Sequence, residues 1–94
     1  MLEFMQPSEE NQLLRLLDER HSWPDVYLFK FIVPKTSADS LRSALPDAVR
    51  VDSRDSTGGK YTALTFHCAM ASGREVLSVY ANVQACGIPG LISL

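Results

Sequence analysis

The chain is short of most residues that announce a chemistry. It has only two cysteines, Cys68 and Cys86, in 94 residues, and they belong to no CxxC or Cys/His spacing. That excludes a zinc module by pattern. Its two histidines, His21 and His67, are too few and too far apart to suggest a metal site. Positive charge is also scarce: Lys and Arg number 9 against 11 acidic residues, for a formal charge of −2. No basic footprint is available for nucleic acid. No apolar run approaches the roughly 18 residues of a membrane span. The opening "MLEFMQPSEENQ" lacks the basic and apolar regions of a signal peptide. The expectation is a cytoplasmic protein with free thiols, with no nucleic-acid and no membrane partner. No repeat, low-complexity segment or linker divides the chain, so 1–94 is read as a single domain.

What is present is apolar residue in quantity: 46% of the chain. A domain of this size buries roughly 64% of its extended surface on folding. Ser8 is a candidate N-cap, followed by Glu9 and Glu10 at the positive helix end. The helix is expected over 9–21, with Leu13, Leu14, Leu16 and Leu17 in one arc. His21 would sit at its C-terminal dipole. Trp23-Pro24 stops it. "VYLFKFIVP" (26–34) is β-branched and aromatic and reads as a strand. Tyr27, Phe29, Phe31 and Val33 form its core face, and Leu28, Lys30 and Ile32 the open one. Thr36 or Ser37 caps a short helix carrying Leu41, Ala44 and Leu45. "AVRVDSRDS" alternates, with Val49 and Val51 inward and Arg50, Asp52 and Arg54 outward. That polarity suits a sheet edge. In "KYTALTFHCAM" (60–70), Thr62, Leu64, Phe66 and Cys68 share the inner face. Tyr61, Ala63, Thr65 and His67 share the outer one. Ser72-x-x-Glu75 is a capping box for a helix running to about Ala85, with Gly87 beyond its end. "GLISL" closes as a strand.

The order is a helix followed by β-α-β-β-α-β over 26–94. This is the ferredoxin-like pattern of the α+β class, a two-layer sandwich with an antiparallel sheet in the order 4-1-3-2. The N-terminal helix is an addition to it.

Gly58-Gly59-Lys60 is the one stretch that suggests nucleotide chemistry. A phosphate loop needs G-x-x-x-x-G-K-[ST] between a strand and a helix. Here Arg54 stands where the first glycine should be, Tyr61 follows the lysine, and a strand comes next. The glycines are expected to make a two-residue type I′ hairpin turn. Paired residues must share a face. A turn centred there sets Asp52 opposite Thr65 and Arg50 opposite His67. Antiparallel pairing of the two long strands sets Lys30 beside Thr65. A row of Lys30, Thr65 and Asp52 would then cross the open face, as a solvent-facing ion pair or a small recognition patch. Arg50 and His67 border it, and Leu28, Ile32, Ala63 and Leu91 surround it. No catalytic, cofactor-binding or metal-binding residue is legible. Cys68 looks inward and would have a raised pKa, while Cys86 sits where the helix dipole disfavours thiolate.

The runs "WPDVYLFKFIVP", "SRDSTGGKY" and "GLISL" resemble the YbeD-like family of small proteins, often described as lipoate regulatory proteins. The resemblance covers most of 23–94. Phe29-Lys30-Phe31, Gly59-Lys60-Tyr61 and Ile92-Ser93-Leu94 are its most specific points. It implies a fold similar to the ferredoxin-like regulatory (ACT-type) domains and a tie to lipoate metabolism. It supplies no catalytic residue. Three functions follow as expectations. The first is a non-enzymatic regulatory or adaptor domain, acting on a protein partner or by self-association as a homodimer through the sheet face or edge. The second is an ACT-type small-ligand sensor, for which Thr36 and Ser37 could receive a carboxylate. The third is an enzyme of unknown class. The N-terminal helix or a second subunit would cover the open face.

Overall fold

The computed structural model describes residues 7–94, and the reading of the first six residues as no part of a leader lies outside them. The elements are α1 (Pro7–Arg20), β1 (Asp25–Pro34), a 3-10 turn (Lys35–Ser37), α2 (Ala38–Ala44), β2 (Arg50–Asp55), β3 (Tyr61–Met70), α3 (Gly73–Ala85) and β4 (Ile92–Ser93). They build an α+β molecule with a four-stranded antiparallel sheet, ordered β2-β3-β1-β4, and three α-helices.

Alternation in β1 and β3 decides which face is buried. Phe29, Phe31 and Val33 of β1 and Leu64, Phe66 and Cys68 of β3 all point into one cluster. Leu41 of α2, Val76, Leu77 and Val83 of α3, and Leu17 of α1 meet them there. Each such side chain contributes roughly 1.5–3 kcal/mol on leaving water. Thr62 ends the inward row and is buried too; its Oγ1 donates to the Arg54 carbonyl at 3.4 Å.

Both sheet registers follow from face parity. β1 pairs with β3 so that Lys30 meets Thr65, and β2 pairs with β3 so that Asp52 meets Thr65 and Arg50 meets His67. The turn between β2 and β3 differs from the two-residue loop expected. Ser56 N donates to Tyr61 O at 2.9 Å, and Gly59 N to Ser56 O at 2.9 Å. The hydrogen-bonded pair that closes the hairpin is therefore Ser56–Tyr61, and Thr57 to Lys60 form the loop. A Gly58-Gly59 turn would need Thr57–Lys60 as the closing pair, which is out of phase with the ladder. Thr57 keeps a negative φ, and Gly58 takes φ 91°, as the third residue of a type II turn requires.

Other expectations shift at element ends. Pro7 is already helical in α1, so Ser8 lies within the helix and is not its cap. Leu16 is 48% exposed and leaves the leucine stripe; Leu13 and Leu14 are half-buried and Leu17 is buried. Val49 is 70% exposed, although its amide donates to His67 O at 2.9 Å; it lies before β2 begins and so escapes the alternation. Ser37 does not cap α2: its Oγ donates to the Pro89 carbonyl at 3.2 Å. Ser72 does cap α3, accepting from Glu75 N at 3.1 Å. Glu75 Oε1 reaches back to Ala71 N at 3.4 Å, one residue before the cap.

Candidate functional site: the open sheet face

Even-numbered residues of β1 and β2 and odd-numbered residues of β3 look away from the helices. The face can be drawn as three rows from the registers. Arg50, His67 and Leu28 form one; Asp52, Thr65 and Lys30 the next; Arg54, Ala63, Ile32 and Ile92 the third. Leu94 N donates to Lys30 O at 2.9 Å, which sets Leu94 beside Lys30 at the end of the middle row. All eight candidate residues, Leu28, Lys30, Ile32, Arg50, Asp52, Ala63, Thr65 and His67, thus lie on one face.

The face is divided by chemistry. The β2 side is ionic. Asp52 Oδ1 accepts from Arg50 Nε at 3.0 Å, and Asp52 Oδ2 pairs with His67 Nε2 at 2.9 Å. The bond to His67, with Arg50 second, holds the Asp52 carboxyl below the usual carboxylate range. The β1–β4 side is aliphatic, with Leu28 42%, Ile92 52% and Leu94 66% exposed. The expected row of Lys30, Thr65 and Asp52 is present in register, but no ion pair crosses it. Lys30 and Asp52 are two strand spacings apart, roughly 10 Å, and Asp52 turns to Arg50 and His67. Among the described residues the Lys30 ammonium group makes no hydrogen bond or ion pair.

Leu91 is a correction. It packs against the core on the helix side. Ile32 pairs with Ile92, so Ile92 and Leu94 take the open face instead. Parity along β1 would have found them, had the register of β4 been legible. Val26, 48% exposed, was also missed as a member of the face, while Tyr61, 46% exposed, lies on the outer side of β3 as expected. Tyr61 closes a shallow depression of about 210 Å³ with Ile32, Ala63 and Arg54.

Helix α1 does not cover this face. Its Leu17 belongs to the core cluster, and a Cβ built on Gly73 of α3 would lie 3.2 Å from Leu17 Cβ. The helix therefore packs on the N-terminal end of α3.

Elsewhere the chemistry is sparse. A cleft of about 360 Å³ opens between the α2–β2 loop, the end of β3 and α3, with Cys68, Asp47, Glu75, Ser78 and Asn82 in its wall. Burial, with Asp47 nearby, pushes the Cys68 thiol up. Cys86 is exposed, and neither cysteine is paired. His21 does not act as a helix-terminal charge partner alone: its Nδ1 pairs with Asp25 Oδ2 at 2.8 Å, and its ring stacks on Trp23 at 4.9 Å. No group of three or more metal-ligating side chains gathers among the described residues. No helix among them is long and apolar enough to cross a membrane.

Site and fold together define a small α+β protein with one sheet face turned to solvent. No family model, curated protein or solved structure matches the chain.

Proposed function

We propose that the protein is a non-enzymatic regulatory or adaptor domain that works by protein contact through its open sheet face. The observation that carries this reading is the aliphatic half of that face. Leu28, Ile32, Ile92 and Leu94 are contiguous across β1 and β4, and α1 is packed elsewhere. Contiguous apolar surface of this kind marks contact sites. Lys30 beside it adds an uncompensated positive charge, which favours a partner with an acidic group next to an apolar surface. A cytoplasmic setting belongs to the same proposal and is supported by the two free thiols.

The fold is proposed to be ferredoxin-like. Counted from the β4 edge, the sheet reads β4-β1-β3-β2, and the elements after α1 run β-α-β-β-α-β. The tie to the YbeD-like proteins and to lipoate metabolism is supported only by the runs quoted above.

Photo-crosslinking from positions 28 and 92 tests the reading. In extract of the source cell, both positions should give one shared protein adduct, and a probe at Arg15 or Arg74 should not. Ile92→Arg should remove the adduct from position 28. Equal labelling from all four positions rejects the face as the contact site.

The ligand-sensor reading is second. Ser37, one of its two anchors, already donates to Pro89, but the cleft beside Cys68 is large enough for a small molecule. A thermal-shift panel of amino acids and lipoate tests it, and a flat response rejects it.

A further inference from the structure

The other unsatisfied part of the sheet is its β2 edge. Ser56 N donates to Tyr61 O, and Thr62 Oγ1 reaches the Arg54 carbonyl. Even-numbered residues of β2 therefore turn their main-chain groups to β3. Val51, Ser53 and Asp55 turn theirs away from the sheet. All of β2 except half-buried Val51 is exposed, so this row faces solvent. An unpaired row of amides and carbonyls is a template for another strand.

The side chains select which strand. Along the outward positions β2 reads Arg50, Asp52, Arg54. This alternation is complementary to itself in some antiparallel registers and not in others. Centred on Asp52, pairing sets Asp52 against the partner's Asp52 and Arg50 against the partner's Arg54, both repulsive. Centred on Ser53, it sets Asp52 against the partner's Arg54 and Arg54 against the partner's Asp52. The same register matches Val51 with the partner's Asp55 and Ser53 with the partner's Ser53. All of those residues aim their main-chain groups outward, which gives about six hydrogen bonds. A register centred on Val51 also matches charge, but it leaves Ser53, Arg54 and Asp55 opposite residues that precede the strand.

We propose that two copies of the chain join through β2, antiparallel about a twofold axis at Ser53, to make one continuous eight-stranded sheet. This rests on the contact reading above and names a second copy as the partner at the edge. The pairing consumes both β2 edges. The remaining edges are two-residue β4 strands, so assembly closes at the dimer. It also places two open faces side by side on the same surface. One strand a side is a small interface, which makes the dimer a weak one.

Analytical ultracentrifugation of the full chain, from low micromolar to submillimolar concentration, tests this. The chain should move from its 10.4 kDa mass towards twice that value. Ser53→Pro removes an outward amide and no bond to β3, a place where an edge strand accepts proline. It should stay monomeric with unchanged circular dichroism. Asp52→Arg and Arg54→Asp should each weaken association by about tenfold or more. The double reversal should restore it, although it cannot restore the Arg50–Asp52–His67 cluster. If Ser53→Pro fails to fold, the reversal pair carries the test. A wild-type chain that stays monomeric throughout overturns the proposal, as does association indifferent to these substitutions. Association lost in Ile92→Arg but kept in Ser53→Pro would also overturn edge pairing, while leaving the open-face reading standing.

Discussion

Tyr80 lies against the aromatic row on the inner face of β1. Its ring sits edge-on to Phe29 at 5.0 Å and to Phe31 at 6.1 Å, and its hydroxyl is 3.3 Å from that of Tyr27. Burial, with the bond to Tyr27 second, raises its pKa well above the ordinary tyrosine value. In the unfolded chain the phenol ionises near 10, while in the folded chain it stays neutral. The stabilisation is complete below about pH 10 and is lost as pH rises towards the folded pKa. The urea midpoint should therefore fall on the alkaline side, and in Tyr80→Phe it should fall less. Asp52 shows the opposite sign. Its pKa is depressed, so its contribution is present above the usual carboxylate range and is lost as pH falls through the folded value. Because the carboxylate is exposed, the stability effect should be small. The direct readout is an NMR titration of its carboxyl carbon, with a midpoint below about 3.9. His67→Ala should raise that midpoint, since the His67 bond is the larger cause.

At the scale of elements, two glycines with positive φ separate conformational need from space. Gly58 has φ 91° and nothing near its missing side chain. Gly90 has φ 72°, and a Cβ there would lie 2.6 Å from Pro34 Cγ at the end of β1. Gly58→Ala should cost about 1–2 kcal/mol from backbone strain alone. Gly90→Ala should cost roughly 2–4 kcal/mol, because the Pro34 ring must also move. Urea denaturation of the two variants measures the difference. These two segments also show what the sequence could and could not say. The β1–β3 register was legible because one face of each long strand is apolar, and the β2–β3 register because Gly58-Gly59 mark where the chain turns and face parity leaves few alignments. The type of the β2–β3 turn was not legible. Its length depends on which pairs in the ladder are hydrogen-bonded, and side-chain parity does not report that phase. Strand β4 was harder still. In "GLISL" the apolar residues fall on both faces, and only two residues pair. Leu91 was accordingly assigned to the wrong side, and Ile92 and Leu94 were missed. The eight candidate residues were found together because they sit on the two long strands and the hairpin partner, where the pattern is strong.

For the whole molecule, the consequence is an asymmetry between two leucine-bearing layers. Helix α1 spends its leucines on the helical side. Leu17 is 8% exposed within the core, and Asp18 Oδ1 accepts from Trp23 Nε1 at 2.7 Å, tying the helix to the chain that leads into β1. Nothing described lies over Leu28 on the opposite side. The same chemical change should therefore read differently on the two sides. Leu17→Ala should cost about 2–5 kcal/mol, as a core truncation does. Leu28→Ala should cost less than about 1 kcal/mol, because its side chain is partly in water already and no core cavity is left behind. Urea denaturation gives both numbers, measured at a protein concentration where the chain is monomeric. Equal costs would mean that Leu28 is covered in solution, and the open face would no longer be available to a partner. Unequal costs leave about four exposed aliphatic side chains that the fold does not need. Their presence is then explained by contact with another molecule and not by the stability of this one.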